Sequence, residues 1–104
     1  MREATKINLI FEVMEPDIYG IPQMVREEKN QVFAEIRSIS AAEFYNAGRN
    51  GLRPEFRADV FFADYDGQKI VELENGKKYE IYRTYFRDDD MVELYCQERG
   101  ATNG

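Results

Sequence analysis

The chain has 104 residues, room for one domain whose single core buries roughly two-thirds of the unfolded surface. Twenty Asp and Glu against fourteen Lys and Arg leave a net charge of −6, which argues against charge-driven binding to a polyanion as the main activity. There is no histidine, so the commonest general base and metal ligand is missing, and a 43% hydrophobic content excludes a disordered chain.

The single cysteine, Cys96, has no partner for an internal disulfide and suits a reducing, intracellular setting. The opening "MREATKINLIFEVMEP" breaks its apolar run with charges and Asn, so no secretory signal is expected. No apolar stretch approaches the length of a membrane span.

In chain order, "KINLIFEVM" (6–14) alternates Ile7, Leu9, Phe11 and Val13 with Asn8 and Glu12, the period of a half-buried strand. Residues 15–29 contain Pro16, Gly20 and Pro22 and read as a long loop, either a mobile arm or an interaction loop, carrying Ile18, Tyr19, Ile21 and Met24. "QVFAEIRS" (31–38) restores the alternation, with Val32, Ala34 and Ile36 opposite Phe33, Glu35 and Arg37.

A helix of about two turns follows. Ser40 and Glu43 form a capping box, Ile39 and Phe44 a hydrophobic staple, and Gly48 or Gly51 the stop. Its exit gathers Arg49, Arg53 and Arg57 with Phe44, Tyr45 and Phe56 interleaved. Arginine and aromatic side chains are the ones that protein interfaces favour. They also suit base stacking and phosphate contact in small β-barrels. The acidic total favours a protein partner.

"EFRADVFFADY" (55–65) alternates Phe56, Ala58, Val60 and Phe62 with Arg57, Asp59 and Phe61. "DYDG" (64–67) lacks the acidic ladder of a calcium loop and reads as a turn. Asn75-Gly76, between two alternating runs, predicts a hairpin. In the following strand Tyr79, Ile81 and Tyr85 are expected on one side, Tyr82 and Phe86 on the other. Asp88-Asp89-Asp90 turns the chain into "MVELYCQER" (91–99), where Val92, Leu94 and Cys96 share one face and the thiol reads as a small core residue. The tail, 100–104, is expected to fray.

The expected fold is mainly β: a small antiparallel β-barrel or sandwich of about six strands, with one short α-helix between the second and third. No catalytic motif or metal-ligand spacing is found, and no nucleotide-binding glycine pattern. The expectation is therefore a protein that is not an enzyme and holds no metal or cofactor.

The order of these pieces resembles the small head-closure (head–tail joining, or stopper) proteins of long-tailed bacteriophages and prophages. The resemblance runs over residues 5–99. It rests on "VFAEIRSISAAEFYNAG", "RPEFRADVFF", "IVELENGKKYEIYRTYF" and the closing "VELYCQER". In that family the segment before the helix commonly reads Val-Trp-Ala-Glu; here it is Val32-Phe33-Ala34-Glu35, with Phe33 in the packing role of the Trp.

The resemblance implies one head-closure-like β domain over 1–104 and a structural virion protein. Such a protein forms a ring with copies of itself, typically twelve, below the portal and its adaptor. The ring closes the DNA-filled head and gives the tail terminator and tail tube proteins their docking surface. DNA passes without sequence-specific binding, no membrane is involved, and the location is the virion's head–tail junction, or the host cytoplasm during assembly. The residues expected in contacts are Ile18, Tyr19, Ile21 and Met24 on the loop, and Phe44, Tyr45, Arg49 and Arg53 at the helix exit. The alternatives are a nucleic-acid-binding small barrel, or another connector component such as a tail terminator.

Overall fold

Alternating apolar residues close on one another in a computed structural model that describes residues 4–99. The strands are β1 (Thr5–Pro16), β2 (Pro22–Arg37), β3 (Pro54–Phe61), β4 (Ile70–Glu72), β5 (Lys78–Phe86) and β6 (Met91–Glu98). Helix α1 (Ala41–Gly48) lies between β2 and β3, and a 3-10 turn (Phe62–Asp64) ends β3. Every pairing is antiparallel, and the order β1-β2-β3-β6-β5-β4 closes into a barrel. The expected tail at 100–104 lies outside the described residues. No helix among them is long and apolar enough to cross a membrane.

The barrel interior is built from one parity of each strand. Ile7, Leu9, Val32, Ala34, Ala58, Val60, Val71, Val92, Leu94 and Cys96 fill it, and Phe56 meets Tyr79 edge-on with ring centroids 4.8 Å apart. Each fully buried aliphatic side chain contributes about 1.5–3 kcal/mol relative to exposure. Burial pushes the Cys96 thiol well above its ordinary range, which makes it an inert core group.

Three expectations are corrected by the strand pairings. The long loop at 15–29 does not exist: β1 and β2 pair from Thr5↔Ala34 out to Pro16↔Pro22, and only a tight turn at 17–21 separates them. The two prolines face each other across the last pair, a place where a missing N–H costs no ladder bond. Beyond Ile10, β1 has only β2 as a sheet partner, and β2 meets β3 only over Glu35–Arg37. The hairpin therefore leaves the barrel as a two-stranded arm, and beyond Val13, with no core behind it, the arm has lost the apolar alternation that marks a strand in sequence.

The second correction concerns β5. Its pairing with β6 runs Ile81↔Cys96 and then Arg83↔Tyr95, so a bulge at Tyr82 shifts the phase by one residue. Tyr79 stays buried while Tyr85, opposite Glu93, moves to the outer face and is half-exposed. The third is smaller. Phe33 lies on the face opposite Val32 and Ala34, as its parity predicts, but at 56% exposure it does not fill the packing role of a Trp, and Phe62 leaves the sheet in the 3-10 turn.

Three hairpins share one turn geometry. Asp17, Leu73 and Arg87 each donate their backbone N–H to the carbonyl four residues on, at 2.9, 3.0 and 2.9 Å. The fourth residue of each turn is left-handed: Gly20 (φ 80°), Gly76 (φ 84°) and Asp90 (φ 64°). This is the three-residue hairpin loop in which a type I turn is followed by a left-handed residue. The hairpin expected at Asn75-Gly76 is present in this form.

Candidate functional site

The arm tip presents apolar side chains on a hydrogen-bonded turn. The Asp17 carboxylate accepts from the backbone N–H groups of Tyr19 (2.8 Å) and Ile21 (3.0 Å), and Gly20 N–H donates to Asp17 O at 3.0 Å. An Asp in this position mimics a backbone turn and fixes the loop. The loop so held projects Ile18 at 90% and Tyr19 at 81% exposure. Ile21 is exposed beside them, and Met14 and Met24 pair across the ribbon, both half-exposed. Glu15 and Asp17 make no ion pair among the described residues, and no Lys or Arg occurs from 15 to 25.

The helix exit is the second exposed aromatic patch. Ser40 caps α1 by accepting from Glu43 N–H at 3.2 Å. The reciprocal half of the expected capping box is not formed. Glu43 turns away from the cap to accept from Tyr82 Oη (2.7 Å) and the Arg83 guanidinium. Arg83 holds the Glu43 carboxyl below its usual range, with the Tyr82 hydroxyl adding to the effect. The helix is thus tied to β5 through a carboxylate.

The tether leaves Phe44 and Tyr45 outward, edge-on to each other with centroids 6.4 Å apart. The helix ends with Asn50 and Leu52 N–H groups on the Ala47 carbonyl and Gly51 left-handed at φ 77°. Arg49 and Arg53 follow, exposed and without an ion pair among the described residues.

The wider basic-aromatic cluster expected here divides. Phe56 is a core residue against Tyr79. Arg57 belongs to a different network, its guanidinium bonding Asp59 at 2.7 and 2.8 Å. The arm residues and the helix-exit residues are likewise not brought together, since they flank opposite ends of β2.

A third feature escaped the sequence reading. On the outer face of β2, β3 and β6, Asp59 is 1% exposed yet meets Arg57, Arg37 (3.4 Å) and Arg87 (3.1 Å). Glu93 joins through Arg87 at 3.3 Å and accepts from Tyr95 Oη at 2.6 Å, and Arg83 lies over the Tyr95 ring at 3.9 Å. The signal was legible in principle: Glu35-x-Arg37, Arg57-x-Asp59 and Glu93-x-Tyr95 share the outward parity. Only the register brings them opposite one another.

The network ends at a groove of about 260 Å³ where β2 and β3 splay apart, lined by Phe33, Phe61 and Met91 with Glu35 and Asp59. Among the described residues no group of three or more His, Cys, Asp or Glu is placed to hold a metal ion.

No family model matches the chain, and no curated protein matches it. Among solved structures, it is similar to the solution structure of protein SF1141 from Shigella flexneri 2a, with a TM-score of 0.66 over 95% of each chain and 16% identity. At that identity the likeness is one of fold alone.

Proposed function

We propose that this protein is a structural assembly subunit of a phage head–tail connector. In this reading it forms a ring below the portal and adaptor, closes the filled head and offers the tail its docking surface. The observation that carries the reading is the arm: a turn closed by Asp17 holds Ile18 and Tyr19 almost fully in water, beyond the barrel. Apolar side chains held out in this way stabilise nothing within the chain and are used when a partner covers them.

The second exposed patch, at the helix exit, supports the same reading, because a ring subunit needs two different contact surfaces. The net charge of −6 suits a protein beside moving DNA, which it repels at long range.

The test is assembly on a phage portal–adaptor complex. Electron microscopy is expected to show an added ring layer, and the neighbouring genes are expected to encode portal and capsid proteins on one side and tail proteins on the other. A chain that ignores such complexes, but binds DNA with affinity falling steeply as salt rises, would establish the nucleic-acid-binding alternative instead.

A further inference from the structure

We infer that the arm tip of one copy docks on the helix exit of the next copy, with Glu15, Ile18 and Tyr19 meeting Phe44, Tyr45, Arg49 and Arg53. The inference rests on the assembly reading and adds which surfaces meet. Its first support is charge. The tip carries Glu15 and Asp17 without a cation nearby, while Arg49 and Arg53 are two of the four described cations that make no ion pair, beside Lys6 and Lys69. Glu55 is the one unpaired carboxylate close to them in sequence and leaves the exit net positive.

Its second support is apolar complementarity. Ile18 and Tyr19 on one side and Tyr45 on the other are the three most exposed large apolar or aromatic side chains among the described residues, and Phe44 beside Tyr45 is half-exposed. Aromatic anchors ringed by Arg are the composition of interface centres.

The third support is placement. The tip precedes β2 and the helix follows it, and sixteen residues of strand at about 3.3 Å each span up to roughly 50 Å. The long dimension of the molecule is 51 Å. The tip and the helix thus flank opposite ends of β2 and are not brought together within one chain, so the contact is one between two copies. The surfaces differ, so the contact is heterologous: repeated, it generates a ring if the rotation closes and a filament if it does not.

Disulfide trapping tests the contact even where association is weak. Chains carrying Ile18→Cys and Tyr45→Cys are mixed under mild oxidation; Cys96 is buried and does not compete. The mixed dimer is expected to form at least ~10-fold faster than that of Ile18→Cys with an Asp88→Cys control, a difference of roughly 1.4 kcal/mol in contact free energy. Adding Arg49→Glu and Arg53→Glu to the Tyr45→Cys chain should abolish the advantage, and Glu15→Lys in the partner should restore part of it.

A mixed rate no higher than the control, or tip-to-tip dimers as the fastest product, overturns the inference. If Arg49→Glu/Arg53→Glu chains still form the ring layer on the connector, the contact is wrong and the assembly role stands. If the wild-type chain forms no such layer, the assembly role itself fails.

Discussion

Asp90 is the one described residue other than glycine in a left-handed conformation, and it closes the turn into β6. A β-branched side chain there costs about 1–2 kcal/mol, so Asp90→Val should lower the denaturation midpoint while Asp90→Gly should not. Gly76→Ala should cost about 1 kcal/mol; an added Cβ meets nothing within 4 Å, so backbone strain is the whole effect. Asp59 is a different kind of residue. Its buried carboxylate faces three guanidiniums, and Asp59→Asn should destabilise the fold by about 2 kcal/mol in chemical denaturation, because its charge-assisted hydrogen bonds are lost while Glu35, Glu93 and Asp89 still face the arginines. Cys96 reports on the interior: thiol reagents should label it only at the rate of global unfolding. The inward role of Cys96, Val92 and Leu94 was legible from their two-residue spacing. The role of Asp59 was not, because a charged residue at an outward position reads as solvated until the register sets arginines around it.

Between elements, the tether from Glu43 to Tyr82 and Arg83 decides how α1 sits. The Glu43 pKa is lowered by folding, so its stabilisation is present above the ordinary value of 4.5 and is lost as pH falls through the lowered folded value. Glu43→Gln should cost about 1 kcal/mol at neutral pH, the half-exposed Arg83 limiting the effect, and the difference from wild type should vanish in acid. The arm behaves as a separate element. With one sheet partner per strand, its amides from 14 to 24 should exchange with solvent well before those of Ile7 to Ile10. The helix start was readable because the Ser40 cap acts over one turn; the Glu43 half of the expected box was not, because Tyr82 and Arg83 draw its carboxylate away. The arm was hidden because Pro16, Gly20 and Pro22 mark turns wherever they occur, and a ribbon with water on both faces has no alternation to reveal it. The β5 bulge escaped for a related reason: it is defined by β6 across the ladder, and nothing in "KYEIYRTYF" records it.

At the scale of the molecule, a closed barrel removes the free edges of most strands, and the arm alone extends the chain to 51 Å. The proposed contact surfaces lie at the two ends of one long strand, an arrangement that suits a subunit passing a contact from neighbour to neighbour. Each surface is small and partly polar, so the isolated chain should sediment as a monomer or weak oligomer and assemble only on a preformed connector. The most direct measurement is ring formation on the portal–adaptor complex by wild type and by Ile18→Ser/Tyr19→Ser, whose substitutions lie in water and leave the barrel intact. A ring layer is expected for wild type and none for the variant at equal thermal stability. A variant that assembles as well as wild type, or a wild type that never joins the complex, would contradict the assembly role.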